Sequence, residues 1–203
     1  IFSTSTLGMV VYDESGDCIK ANDAVGRIIG AEKEQVLQQN FRNISSWKDS
    51  GLLEAAKESL RTETEQQREV HIRTSFGLEK WLHCKFNVFY LHGKQHLLLL
   101  LDDITERKQA EETLKSAVQF NQMHSGSMVE EIIAFGLEES VKLTDSEVGY
   151  FHLVNPDQNT IALTAWSERT LKDCKVEEKI EHYPIETAGI WVDCIRQKKP
   201  VIH

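Results

Sequence analysis

Along the first hundred residues the chain alternates polar and apolar positions, then spaces them as a helix does, then alternates again. Gly8-Met9-Val10-Val11-Tyr12-Asp13 is an apolar run, Glu14-Ser15-Gly16-Asp17 a polar turn, and Cys18-Ile19-Lys20 a short second run, which predicts a β-hairpin. Asn22 then precedes Ala24, Val25, Ile28 and Ile29 at helical spacing, with Gly30 at the stop, so a short helix capped by Asn22 is predicted. Further helices are predicted over Glu32–Gln38 and Leu52–Leu60, the latter apolar at positions 52, 53, 55, 56 and 60. From Arg68 the period becomes two, through Val70 and Ile72, through Trp81–Leu91 after Gly77, and through His96–Leu101 after Gly93. Two strands, short helices and three strands define an α+β fold on one five-stranded antiparallel sheet.

At Asp103-Ile104-Thr105-Glu106 the last strand gives way to a helix, with Asp103 placed as cap and Glu106 three residues on to answer it. The helix from Glu106 to about Phe120 is mostly polar, but Ala110, Leu114, Ala117 and Asn121 recur at steps of four, three and four, a heptad-like seam. A helix so thin in apolar surface needs a partner, and a homodimer through this linker is expected. His124-Ser125-Gly126 interrupts it, and Ser127 with Glu130 forms a second capping box. Val129, Ile132, Ile133, Gly136, Ser140 and Leu143 form the packing stripe of the next helix. Val148–Val154 and Thr160–Trp166 flank the turn Asn155-Pro156-Asp157-Gln158-Asn159 as a second hairpin. A charged, loop-like stretch, the extended Tyr183-Pro184-Ile185, a helix near Ile190–Ile195 and a terminal strand at Val201-Ile202-His203 complete the pattern. The expected organisation is a domain over 1–105, a helical linker over 106–124 and the front of an α/β sheet domain over 125–203. A start at Ile1 without methionine and a stop inside an apolar run read as cuts from a longer protein.

Composition narrows the function. With 40% hydrophobic and 27% charged residues the chain can bury a core, and a net charge of -9 gives no basic footprint for nucleic acid. Cys18, Cys84, Cys174 and Cys194 show neither Cys-x-x-Cys pairing nor zinc-ligand spacing, so reduced thiols in a cytoplasmic chain and no metal site are expected. The longest apolar run, Leu97–Leu101, is far short of the ~20 residues of a membrane span. No glycine-rich phosphate loop, zinc-type His/Glu spacing or local nucleophile signature is present, so this segment is expected to catalyse nothing.

The hairpin residues Gly8–Asp13 with Gly16-Asp17, Asn22 at the first helix, Gly30 after it, and the run Asp103-Ile104-Thr105-Glu106-Arg107-Lys108-Gln109-Ala110-Glu111-Glu112 together resemble a PAS domain with its closing PAC motif. The second half is similar to the start of a GAF domain. That likeness is carried by the helix Met128–Thr144, Gly149-Tyr150-Phe151-His152, Ala165-Trp166-Ser167, His182-Tyr183-Pro184-Ile185 and Gly189-Ile190-Trp191-Val192-Asp193-Cys194.

The resemblance implies a sensory input region, most often of a two-component sensor histidine kinase, with a diguanylate cyclase parent or a ligand-free dimerisation scaffold as alternatives. It implies that Asp103 and Thr105 tie the last strand to the outgoing helix and pass the signal; Leu114, from the seam of that helix, is the third relay candidate. The light-sensing branch needs a cysteine where Asn40-Phe41-Arg42-Asn43 has Phe41, so flavin adduct chemistry is not expected. Haem-binding relatives supply a histidine from the helix facing the sheet, and Leu52–Leu60 has none, which leaves haem thinly supported. Ligand-contact candidates are Asn22 and His83 in the first half and Trp166, Cys174, His182 and Trp191 in the second. His83 and Cys84, adjacent on a strand, point to opposite faces, so Cys84 is expected in the core and His83 in solvent. Cys174, between Lys172 and Lys175, is the thiol expected to be most available. Trp166, Tyr183 and Trp191 fit plain core as well as a pocket lining.

Overall fold

The alternation in the first run is realised as β1 (Gly8–Tyr12), paired antiparallel with β2 (Cys18–Ala21). Asp13 closes their turn, its Oδ1 accepting from the amides of Ser15 and Asp17 at 3.0 Å each. Gly16 sits there at φ 97°, where an added Cβ would lie 2.7 Å from Asn40 Oδ1, so no other residue fits without displacing that loop. A computed structural model of the chain describes residues 2, 4–123, 128–173 and 183–202, divided into the units Ile1–Glu111 and Glu112–His203.

In the first unit the hairpin leads into α1 (Asp23–Ile29), α2 (Lys33–Leu37), a 3-10 turn at Phe41–Asn43, α3 (Ser45–Ser50) and α4 (Leu52–Thr62). Three strands follow: β3 (Gln66–Arg73), β4 (Glu79–Leu91) and β5 (Lys94–Asp103). The sheet order is β2-β1-β5-β4-β3. The last strand is therefore the centre, with Val10 opposite Leu99 on one side and Phe86 opposite Leu99 on the other. Val10, Tyr12, Leu82, Cys84, Phe86, Leu97, Leu99 and Leu101 face the helices and make one core with Val25, Val36, Phe41, Trp47, Leu52 and Leu53. Each fully buried large side chain contributes about 1.5–3 kcal/mol of transfer free energy. The fold is α+β, as the pattern implied. Helix α3 was not anticipated, because Ser45–Ser50 carries a single buried apolar residue, Trp47, and no side-chain cap.

Helix α5 (Thr105–Met123) begins in the first unit and continues in the second. The second unit goes on through α6 (Val129–Leu143), β6 (Tyr150–Val154), β7 (Thr160–Trp166), α7 (Glu168–Asp173), β8 (Tyr183–Pro184), a 3-10 turn at Ile190–Val192 and α8 (Asp193–Gln197). Its antiparallel sheet has the order β6-β7-β8. Several expectations are corrected here. The stripe proposed for α6 is displaced: Leu137 is its buried residue, Val129 and Leu143 are exposed, and Leu137 and Val141 crowd Gly149 so closely that no side chain fits there. The stretch expected to be loop-like contains α7, and Val201 and Ile202 are not in a strand. The Ser127–Glu130 box is not available as written, since Ser127 lies outside the described residues; the Met128 amide donates instead to Glu131 at 3.1 Å.

Candidate functional site

Two features of the first unit can carry a signal: the junction where β5 becomes α5, and a cavity beneath the sheet. At the junction Asp103 Oδ1 accepts from the Thr105 amide at 3.0 Å and the Thr105 hydroxyl at 2.6 Å, while Oδ2 takes Lys80 Nζ of β4 at 2.7 Å. Thr105 Oγ1 in turn accepts the Trp81 amide at 3.1 Å, and the Trp81 carbonyl accepts the Ile104 amide at 3.0 Å. Both backbone groups of one residue in β4 are thus spent on the first turn of α5. Partial burial pushes the Asp103 carboxyl up, but the hydrogen bonds from Lys80 and Thr105 outweigh it and hold the pKa below the usual value. The capping box expected between Asp103 and Glu106 does not form, because the Asp103 carboxylate is already committed to Thr105 and Lys80; Ile104 O accepts the first helical amide, from Lys108.

A second set of contacts clamps the same turn from β3. Glu69 receives Arg107 Nη2 and Lys108 Nζ, each at 2.7 Å. Hydrogen bonds from Lys108 and then Arg107 lower its pKa to about 2. Lys108 Nζ also stands 5.4 Å from the Trp81 ring centre, and His71 stacks on the same ring at 4.8 Å. Leu114, farther along α5, is 67% exposed, and Ala110, Ala117 and Asn121 are exposed with it. The buried residue of the helix is Ser116, bonded to Glu139, while Phe120 stacks on Phe135 at 6.5 Å.

The cavity, about 40 Å³, is lined by Val10, Tyr12, Trp47, Leu52, Thr74 and Cys84 among others. Of the lining residues, Gln39, Ser46, Ser75 and Phe76, with Ile29 and Ile72, also reach solvent. Tyr12 is packed edge-on against Phe41 at 5.3 Å and Trp47 at 5.9 Å. Burial, with the Cys18 and Cys84 thiols nearby, raises its phenol pKa well above the ordinary value, so it stays a neutral hydroxyl. Burial likewise pushes the Cys84 thiol up to about 12 and Cys18 up to about 11, which keeps both inert. Phe41 is fully buried and belongs to the core rather than to the cavity lining. No histidine lines the space.

The predicted contact residues are scattered. Asn22 is buried and fully employed: its Oδ1 accepts from Met9 and Val25 amides, and its Nδ2 donates to the Phe2 and Leu7 carbonyls. It is a structural cap and does not line the cavity. Cys84 is in the core as expected, and His83 lies on the opposite face with its Nε2 3.4 Å from Gln67 Oε1, away from the cavity. In the second unit Trp166 packs on Tyr150 at 5.9 Å, and its indole N–H is buried without a partner among the described residues. His152, 5.0 Å from the Tyr150 ring, is held below the usual histidine pKa by burial. Trp191 lies in the 3-10 turn, whereas Cys174 and His182 lie outside the described residues. Sequence reasoning missed Tyr12, Trp47 and Thr74 of the cavity and Glu69, Lys80 and Trp81 of the junction. Tyr12 ends an alternating strand on its inward phase, a signal that was available; the junction partners depend on strand register, which was not. Among the described residues no cluster of His, Cys, Asp and Glu converges as a metal site, and no helix is long and apolar enough to cross a membrane.

The first unit is thus an α+β sheet over a small cavity, whose central strand runs through a hydrogen-bonded turn into an outgoing helix. Residues 6–106 match the PAS domain family and residues 127–203 the GAF domain family. The chain belongs to these families, carrying a PAS domain followed by a GAF-family segment. It is similar to a methyl sulfide methyltransferase-associated sensor of Methanosarcina acetivorans, 28% identical over 188 residues, which covers 89% of this chain and 19% of that protein. The chain thus spans about a fifth of that relative. Similar solved structures include the PAS domain of a Colwellia psychrerythraea protein, 18% identical over 52% of this chain and 92% of that one with a TM-score of 0.46. A domain of a sensory box sensor histidine kinase/response regulator from Geobacter sulfurreducens is 20% identical over 50% and 87% of the respective chains, with a TM-score of 0.43.

Proposed function

We propose that the PAS domain reads the occupancy of its core cavity and passes it through Asp103 and Thr105 into α5, which sets the activity of a downstream module. The observation that carries this reading is the chain of hydrogen bonds from Lys80 and Trp81 through Asp103 and Thr105. Any shift of β4 or β5 against the cavity moves the root of the helix, because its first turn is bonded to both strands. The output is a histidine kinase in this proposal, with a diguanylate cyclase as the runner-up, and two copies pair through the exposed Leu114 face of α5. Trp166, Trp191, Cys174 and His182 are the contact candidates of the GAF segment. The test is the full-length parent carrying Asp103→Ala: its autophosphorylation, or cyclic dinucleotide synthesis for a cyclase, is expected to lose its response to signal while basal output persists. An unchanged response refutes the relay.

The small volume of the cavity favours a second reading, a ligand-free PAS–GAF dimerisation scaffold. Native mass spectrometry and absorbance of the intact parent separate the two: a bound small molecule supports sensing, and consistently empty protein supports the scaffold.

A further inference from the structure

The last carbonyls of a helix have no partner inside it and must find one elsewhere. At the end of α1 the Ile29 carbonyl accepts the Thr74 hydroxyl at 2.9 Å, across a separation of 45 residues in the chain. Thr74 is buried and opens the turn between β3 and β4. Its amide donates to the Leu78 carbonyl at 2.7 Å, its carbonyl accepts from Gly77 at 3.0 Å, and its Oγ1 accepts the Phe76 and Leu78 amides at 3.3 and 3.2 Å. The turn is therefore a closed unit folded around one side chain. Among the described residues, the Thr74–Ile29 bond is the one hydrogen bond that ties residues 73–78 to the helical layer over residues 23–62; beside it Leu78 rests on Gly30.

Farther along β4 the same layer is fastened more heavily. Ser59 Oγ lies between the Thr64 and Phe86 carbonyls at 2.9 and 3.2 Å, Gln95 Nε2 donates to the Leu60 carbonyl at 3.0 Å, and the Tyr90 hydroxyl donates to Glu63 Oε1 at 2.6 Å. The lightly held turn borders both the cavity and solvent. Thr74, Ser75 and Phe76 are all in the cavity lining. A surface cleft that includes the exposed Gln38, Asn43 and Ser45 shares Gln39, Ile44 and Ser75 with that lining. Cleft and cavity are thus neighbours across the boundary between Ser75 of the turn and Gln39 and Ile44. On its other side the turn leads into β4, where Lys80 and Trp81 hold Asp103, Ile104 and Thr105.

We propose that the Thr74 hydroxyl is the latch of the core cavity: the β3–β4 turn swings away from the end of α1 and opens the boundary beside Ser75, and its return to the Ile29 carbonyl closes it. This rests on the sensing reading above and adds the route by which a small molecule enters. A turn that lifts displaces the start of β4, so entry and relay share one strand.

The test follows the reaction of each cysteine of the full chain with methyl methanethiosulfonate, resolved by peptide mass spectrometry, in the wild type, Thr74→Val and Thr74→Ser. Cys84 lines the cavity, Cys18 is buried in the same core outside the lining, and the exposed Cys194 monitors the reagent. Loss of one neutral hydrogen bond should raise the Cys84 rate in Thr74→Val about two- to tenfold. Cys18 should be unchanged, and Thr74→Ser should stay close to the wild-type rate. The Trp81 amide should also exchange faster in Thr74→Val. An unchanged Cys84 rate overturns the latch, as does an equal rise at Cys84 and Cys18, which reports unfolding of the whole unit. A Thr74→Ser rate equal to that of Thr74→Val overturns it too, since the hydroxyl is then not what holds the turn. Faster Cys84 labelling with unchanged Trp81 exchange overturns the link to α5. Labelling needs no ligand, so the two readings fail separately. If native mass spectrometry finds the parent empty while Cys84 follows Thr74, the sensing reading fails and the opening stands; if a ligand is bound and Cys84 ignores Thr74, the latch alone fails.

Discussion

Replacing Asp103 by alanine removes the centre of the strand-to-helix junction, and its cost can be assembled from the contacts it severs. The carboxylate accepts two hydrogen bonds from Thr105 and one from Lys80. The two bonds to Thr105 contribute about 1 kcal/mol each. The Lys80 pair, whose side chains are about a quarter exposed, adds no more than about 1 kcal/mol after allowance for solvent screening. The expected loss is therefore about 2–3 kcal/mol, whereas Lys80→Ala, which removes the ion pair alone, should cost less than about 1 kcal/mol. Urea unfolding followed by tryptophan fluorescence measures the total, and amide hydrogen exchange locates it: the Trp81, Thr105 and Lys108 amides should lose protection first. Acid supplies a sign check. The Asp103 pKa is depressed in the folded protein, so its contribution is complete above the unfolded value of about 3.9 and is lost as pH falls through the folded value; Asp103→Asn should flatten that part of the acid profile. If Asp103→Ala costs no more than Lys80→Ala, or leaves those amides protected, the junction is not held as argued.

Three further outcomes are expected. Glu69→Gln should free the first turn of α5, seen as faster exchange of the Lys108 and Gln109 amides; in the wild type this contribution is complete above pH ~4.3 and is lost as pH falls towards the folded value of about 2, and added salt should weaken it. Gly30→Ala should destabilise the PAS unit by about 1–2 kcal/mol in thermal unfolding, because Gly30 is at φ 79° and a Cβ there would lie 2.7 Å from Leu78 Cδ1. Leu114→Asp should weaken self-association in sedimentation equilibrium by placing an unpaired charge in the proposed seam; an unchanged monomer–dimer balance removes the seam.

What could be read from the sequence was whatever is local. Asn22 and Gly30 bracket α1 as their side-chain chemistry requires, and the period-two runs at Val70–Ile72, Trp81–Leu91 and His96–Leu101 are strands because half their side chains meet one core. Asp103 and Thr105 were legible as a junction, but not what they bond: Lys80 lies 23 residues away, and nothing but the β4–β5 register brings it there. The same holds for Glu69, opposite His83 in one strand pair and within reach of α5. The stripe on α6 went astray because a helix with apolar residues on several sides does not declare which one is covered; the close approach of Gly149 to Leu137 and Val141 decides it.

The strand order also bears on how copies of this chain meet. At one margin of the PAS sheet stands β3, whose Gln67, Arg68, Glu69, His71 and Arg73 are exposed, and at the other stands β2, four residues long and carrying Lys20. Open edges with bare amides invite strand addition and aggregation, and charged or very short edge strands suppress it. Both margins are blunted in these two ways, so the PAS sheet is a poor template for extension by a neighbour. Self-association, where it occurs, is steered away from sheet-to-sheet joining and towards side-chain surfaces, which can separate and re-form without unravelling a strand.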